Sequence, residues 1–402
     1  MSQGSPLGIV RRRQVFFLSG FDPKGASHYH RIYAEQAALQ GAVSGAAYNV
    51  SKRTNCDNGN AVWTVRSGDT ETKYEYVRWD DIVRAQWPRG AWQILWSAFG
   101  VYALVLREPS ALYKIWCVAR RTLVALFYPL FFGLLVAALA WAVALGVKVG
   151  LSDEIIAGAK DRVSWVLSVL AGMGVLWGGF WLEQRLHTSW LVRIFRFADR
   201  YATDRVTDLP KRWDALAEQI RTVLLNPEID EVLLIGFSVG SVGAVSTAAR
   251  TVNLCIDTPL ALGKLSVLTL GHCIPLFSLM PKAHALRDEL TNVGANRELF
   301  WIDFSSPSDW GSFALVNPVA ICAGRNRGSI SEQTVKTINP RVMMSPRFHT
   351  LFDLARYAQI KKNKRRMHMQ YLMAGELPGA YDFFAMTASG ISLRQRYLQK
   401  AV

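Results

Sequence analysis

The chain has 402 residues, enough for one large domain or two modest ones, and half of them are hydrophobic. Its formal net charge is +15, from 46 Lys and Arg against 31 Asp and Glu. No nucleic-acid module accompanies that excess, so its basic runs point to anionic lipid heads. The five cysteines (Cys56, Cys117, Cys255, Cys273 and Cys322) have no paired spacing, which excludes a disulfide scaffold and implies free thiols in a reducing compartment.

Arg11 to Arg13 precede an apolar run too short for a signal peptide. Residues 15–18 predict a strand that ends in Ser19-Gly20-Phe21-Asp22-Pro23-Lys24-Gly25. A helix is predicted over 27–40, stopping at Gly41. Residues 61–65 and 74–77 alternate apolar and polar side chains and read as strands, with Ser67-Gly68-Asp69 as a turn. Residues 92–117 are aromatic and amphipathic, broken at Pro109, and predict a membrane-surface helix pair.

Residues 122–147 and 163–182 carry no charge, and each exceeds or matches the roughly 20 apolar residues a membrane-spanning helix needs. The short link 148–162 makes them a helical hairpin, so both flanks lie on one side of the bilayer. Arg107, Lys114, Arg120 and Arg121 precede it and Arg185, Arg193, Arg196 and Arg200 follow it, against Lys148, Lys160 and Arg162 in the link. That bias predicts an integral protein of a bacterial inner membrane with both large parts cytoplasmic. Gly174 and Gly178 on one helix, and Ala138, Ala142 and Gly146 on the other, form rows of small residues. Such rows suit close hairpin packing or a homo-oligomer through the hairpin.

Beyond the hairpin, residues 211–225 predict an amphipathic helix with Trp213, Leu216, Ile220 and Leu224 on one face. Then comes Val232-Leu233-Leu234-Ile235-Gly236-Phe237-Ser238-Val239-Gly240-Ser241, an apolar strand running into Gly-x-Ser-x-Gly and a helix of small residues. That is the strand, tight turn and helix of a nucleophile elbow, in which glycines let neighbouring backbone pass close to a raised serine. Strands are predicted at 265–270, 299–304 and 341–344, the second ending in Ser305-Ser306-Pro307-Ser308-Asp309 and the last in Ser345-Pro346-Arg347-Phe348-His349. Strands alternating with helices on both sides of the hairpin argue an α/β fold with a mostly parallel sheet that the hairpin interrupts. The predicted organisation is 1–90 and 184–402 as the two parts of one α/β domain, 91–121 as the surface segment and 122–183 as the hairpin.

The elbow and the order of elements over residues 13–80 and 205–355 resemble the α/β-hydrolase superfamily, especially its serine lipases and esterases. The resemblance implies a triad in the order Ser, acid, His. It matches Ser238 to the nucleophile, Asp309 to the acid and His349 to the base. It also implies that the Val239 amide and the Phe21 amide, in the loop after the first strand, hold the oxyanion. Asp303 competes for the acid role from mid-strand. Among the other histidines, His28 and His30 suit a headgroup, a metal or plain surface; His272 reads as structural; His187 sits at the membrane boundary; His284 and His368 lie on helical stretches without a nearby signal. The expected protein is a membrane-anchored serine hydrolase cleaving a lipid or acyl ester, with no cofactor, metal or nucleic acid. A hydrolase-fold scaffold without catalysis is the alternative. A transporter is disfavoured by the absence of charge within the spans.

Overall fold

The computed structural model describes residues 9–88, 90–107, 109–152, 160–186, 190–323, 339–340 and 342–398. His187 and part of the hairpin link lie outside them. The strands are β1 (Arg12–Leu18), β2 (Asn49–Val50), β3 (Thr54–Asn55), β4 (Ala61–Ser67), β5 (Thr70–Tyr76), β6 (Glu231–Phe237), β7 (Leu265–Leu270), β8 (Phe300–Phe304) and β9 (Val342–Met344). They form one sheet in the order β2-β4-β5-β1-β6-β7-β8-β9, with β3 also paired to β4. Neighbours from β5 to β9 are parallel. β2, β3 and β5 all run antiparallel to β4.

The sheet is therefore mixed, parallel from β5 to β9 and antiparallel around β4, and the cause of the reversal is local. Ser67 pairs with Thr70, and Gly68 between them takes a φ of 55°, so β4 and β5 are joined by a tight hairpin turn. A two-residue connection can only reverse the chain. By contrast β6, β7 and β8 are buried along their whole length, as parallel strands covered on both faces must be.

Helix α1 (Ala26–Ser44) runs one turn past the predicted stop at Gly41. The stop is Gly45, left-handed at φ 74°, whose N–H donates to the Gly41 carbonyl. Gly41 serves the return of the chain instead, since a Cβ there would lie 2.7 Å from the Ala46 carbonyl oxygen. Helix α2 (Asp80–Gln86) follows β5.

The chain divides into two compact units, one made of Met1–Trp87 with Ala198–Val402 and the other of Pro88–Phe197. The second unit holds α3 (Ala91–Arg107), α4 (Pro109–Ser152) and α5 (Lys160–Leu186), and α6 (Trp190–Ala202) leads out of it. Two stretches, Tyr113–Leu151 of α4 and Arg162–Glu183 of α5, are long and apolar enough to cross a membrane. Beyond the predicted break at Pro109, α4 is also broken at Ala119, where φ is −148° and ψ 59°. Phe131, Leu135 and Trp141 on α4 and Met173 and Trp177 on α5 are exposed, the pattern of a helix apolar all round.

The helices of the hairpin meet on a different row from the one predicted. A Cβ at Gly172 would lie 3.3 Å from the Ala140 carbonyl oxygen, and one at Gly179 would run into the Val136 side chain. Gly172 and Gly179 are seven residues apart, two turns on the same side of a helix. Nothing lies within 4 Å of a Cβ built on Gly146, Gly174 or Gly178. The rows expected to pack face away from the partner helix.

In the α/β unit, α7 (Asp208–Leu225) buries Leu209, Trp213, Leu216, Ala217, Ile220 and Leu224. The Trp213 ring lies 2.8 Å from where Gly243 would carry a Cβ, so α7 packs flush on α8 (Gly240–Leu254). Arg13, grouped above with the lipid-facing basic run, is 1% exposed. Its guanidinium bonds Glu231 at 2.7 Å and donates to the Ser389 and Ile391 carbonyls at 2.8 and 3.1 Å. Glu231 in turn accepts from the Leu393 amide at 2.6 Å.

Breaking one half of such a pair leaves a buried charge uncompensated. Arg13→Met is expected to destabilise the protein by about 3–5 kcal/mol, whereas Arg13→Met with Glu231→Leu recovers most of that loss. Denaturation in mild detergent checks this, and equal instability of single and double variants would refute it.

Candidate active site

Ser238 follows β6 directly and takes a φ of 55°. A non-glycine residue in this region costs on the order of 1–3 kcal/mol and persists only where its surroundings impose it. Here they do. The Ser238 amide donates to the Leu270 carbonyl at 2.8 Å, and its own carbonyl accepts from the Ser241 amide at 3.1 Å. The Ser241 hydroxyl donates back to the Gly236 carbonyl at 2.9 Å. The glycines of the motif are required by contact. A Cβ on Gly236 would lie 2.5 Å from the Ser241 Cα, and one on Gly240 would overlap the Leu18 carbonyl oxygen. Val239, the residue after the serine, is the N-cap of α8, so the positive end of a 15-residue helix begins there.

The loop after β1 lies against the same serine. A Cβ on Gly20 would sit 3.1 Å from the Ser238 Cβ. Phe21, the other expected oxyanion donor, is buried and its ring stacks on Trp87 at 5.4 Å. The loop is held from several sides. Ser19 Oγ bonds Tyr76 Oη at 3.1 Å, Trp79 Nε1 donates to the Ser19 carbonyl at 3.1 Å, and Arg84 donates to the Pro23 carbonyl at 3.0 Å.

Asp309 lies in the loop after β8, where it was expected, and is buried. Its partner is His368. The His368 Nδ1 lies 2.8 Å from Asp309 Oδ2, and Oδ1 accepts from the Gly311 amide at 2.9 Å. The imidazole packs on Phe237, with ring centres 5.0 Å apart, and so lies against the residue just before Ser238. His349, the expected base, is not brought to this carboxylate. It lies exposed on the 3-10 turn Phe348–Thr350, with its ring 6.1 Å from Tyr357. The chain beyond β9 passes through the helix Leu354–Lys362 before the helix Lys364–Met369 delivers His368 to Asp309. One signal pointed there: at Met367 the basic run gives way to apolar Met367-His368-Met369 and Tyr371-Leu372, a segment fit for burial. His349 has Phe348 and Leu351 beside it, so the same signal marked both.

Tyr371 holds the two halves of this arrangement together. Its hydroxyl accepts from the Ser306 amide at 2.8 Å, at the start of the acid loop, and its carbonyl accepts from Tyr381 Oη at 2.6 Å. Asp303, the rival acid, faces elsewhere. It is fully buried and accepts from Thr269 Oγ1 and Ser305 Oγ, both at 2.7 Å. Burial raises its pKa, against the pull of His272, whose Nε2 lies 3.7 Å away. His30 Nε2 bonds the Ser51 carbonyl at 2.9 Å. Among the described residues no three His, Cys, Asp or Glu side chains converge as a metal ion would need.

Cys273 is a neighbour that sequence reasoning did not single out. Its Sγ lies 3.6 Å from Ser238 Oγ. Burial pushes the thiol up to about 12, despite the opposing hydrogen bond from Ser238. The group at Ser238 is thus a neutral thiol throughout the physiological range, not a rival thiolate nucleophile. At pH 8 roughly one molecule in 10⁴ would carry the thiolate. Cys273 is therefore expected to resist iodoacetamide at pH 8 in the folded protein and to react once denatured, read by peptide mass spectrometry. Rapid alkylation of the folded protein would contradict this.

Set against protein-family models, curated protein sequences and solved structures, the chain matches none of the three.

Proposed function

We propose that the protein is a membrane-anchored serine hydrolase of the α/β-hydrolase type, cleaving an ester of a lipid or acylated substrate through an acyl-enzyme. The observation that carries this reading is the positive-φ Ser238 between β6 and α8, beside a buried Asp309–His368 pair packed on Phe237. The two apolar helices of the inserted unit support the anchor.

The chemistry follows from the hydrogen bonds. Asp309 accepts the Nδ1 proton of His368, which leaves the Nε2 lone pair as the base. In this reading Nε2 takes the Ser238 proton as Oγ attacks the ester carbonyl. The tetrahedral oxyanion is held by the Val239 amide at the α8 terminus and by the Phe21 amide. Collapse expels the alcohol, which takes the proton from His368, and leaves the acyl group on Ser238. Water then attacks the acyl-serine, gives its proton to His368, and releases the carboxylic acid and free Ser238.

The test is fluorophosphonate labelling of membranes carrying the full chain. Wild type is expected to label, Ser238→Ala and His368→Ala to lose labelling, and His349→Ala to retain it. Asp309→Asn is expected to lower kcat by about 10⁴-fold by presenting the wrong tautomer. A folded wild type that does not label would sink the catalytic reading in favour of a hydrolase-fold scaffold. Loss in His349→Ala with retention in His368→Ala would return the base to His349.

A further inference from the structure

Helix α3 carries no charge from Ala91 to Leu106, and it is apolar on two opposite faces. On one face Ile94, Ser97 and Val101 are buried. On the other, Trp92, Leu95, Trp96, Phe99 and Leu106 are 62 to 79% exposed. Their spacings of three, four and seven residues set them in a single stripe along the helix.

Two contacts fix where α3 lies on the hairpin. Tyr102 Oη donates to the Leu126 carbonyl of α4 at 2.9 Å, and the Tyr102 ring stacks on Phe127 at 5.9 Å. Arg196 of α6 donates to the Ser97 hydroxyl. Leu126 is four residues past Thr122, where the charge-free stretch of α4 begins, a rise of about 6 Å. Arg196 is one turn beyond Arg193, which pairs at 3.7 Å with Glu183, the residue that ends the charge-free stretch of α5. Helix α3 is therefore held at the charged end of both apolar helices.

That position selects a lipid bilayer as the partner of the bare stripe. The charge-free part of α3 rises only about 24 Å, short of the roughly 30 Å of hydrocarbon that a crossing helix must span. An interfacial helix buries its apolar face about 5–10 Å into the boundary, the depth at which Tyr102 meets α4. Val124 and Tyr128, on either side of Leu126 in the chain, are both 53% exposed, so the bare apolar surface of the span begins where α3 meets it. Arg107 closes α3 and Arg120 precedes the charge-free stretch of α4; both are exposed and suit anionic headgroups.

We propose that α3 is a third membrane element, lying in one leaflet without crossing it, with Trp92, Leu95, Trp96, Phe99 and Leu106 against the acyl chains of an anionic bilayer. This narrows the surface pair expected over residues 92–117 to one helix and one face of it. The inference rests on the reading of α4 and α5 as the anchor and is independent of the hydrolase chemistry.

The test measures depth in vesicles of three parts phosphatidylcholine to one part phosphatidylglycerol. The full chain, with Cys56→Ser and Cys117→Ser to remove the cysteines that are not buried, receives Phe99→Cys or, in mid-span, Leu135→Cys. Both positions are exposed, so neither change removes core packing. Each is labelled with an environment-sensitive fluorophore and quenched by aqueous iodide, by a nitroxide near the headgroup end of the acyl chain, or by one near its methyl end. The Phe99 label is expected to be quenched most by the shallow nitroxide and the Leu135 label most by the deep one. Labels at Trp92→Cys and Leu106→Cys are expected at the Phe99 depth. A deep Leu135 label with a Phe99 label quenched only by iodide would overturn the inference and leave the anchor standing. So would a Phe99 label shielded from all three quenchers, which would assign the stripe to a second copy of the chain. A Phe99 label as deep as that of Leu135, with shallow ends, would make α3 a crossing helix and overturn it as well. If no nitroxide quenched the Leu135 label, the anchor reading itself would fall, and this inference with it.

Discussion

The Arg13–Glu231 ion pair joins β1 to β6 out of reach of solvent, and the C-terminal segment closes over it through the Ser389 and Ile391 carbonyls and the Leu393 amide. The pair sits at the first rung of a parallel ladder whose last rung is Leu18 against Gly236. A slip of one residue along that ladder would turn every side chain to the opposite face. It would also move the Leu18 carbonyl away from the glycine that has to pass it, Gly240. A buried ion pair adds little net stability but strongly penalises arrangements that separate its members. Here it fixes, from one end of the sheet, the register on which the close approach of the Ser19–Gly25 loop and the serine turn depends at the other.

The two acidic residues near the site show how place decides role. Asp303 lies within β8, desolvated and satisfied by two hydroxyls. One of these, Ser305, also accepts from the Leu315 amide, and the Phe313 amide donates to the His272 carbonyl. The loop that carries Asp309 is therefore clamped to β7 and β8 on either side of it. Asp309 itself faces an imidazole, and that imidazole is held by a segment that Tyr371 ties back to the same loop. The acid and the base are positioned by each other's supports.

What could be read in the chain was what it encodes locally. The apolar run, the glycine spacing and the small-residue helix around Ser238 lie within about twenty residues, and the structure forms them as strand, strained turn and helix. The β4–β5 turn was likewise visible in Ser67-Gly68-Asp69, although its antiparallel consequence for the sheet was not drawn. Distance defeated the rest. Arg13 looked like part of a surface run because its partner is 218 positions away. His368 was passed over because the apolar neighbours that fit its segment for burial have a counterpart beside His349, and only Phe237 and Asp309 tell the two histidines apart. The helix contact at Gly172 and Gly179 was missed for a different reason: any Ala- and Gly-rich helix offers several small rows, and only the facing helix selects one.

The inserted unit separates β5 from β6, yet β1 must pair with both. A ribosome releases β1 to β5 first, then the two apolar helices, and only afterwards β6. Until then β1 has one ladder edge open and an arginine without its glutamate. The sheet's central seam thus stays open until the whole inserted unit has been made, and β7, β8 and β9 add beyond β6 after it. If the two apolar helices are the anchor proposed above, an even number of bilayer crossings is a condition for closing that seam, and a failure of insertion would be read out as a loss of folding.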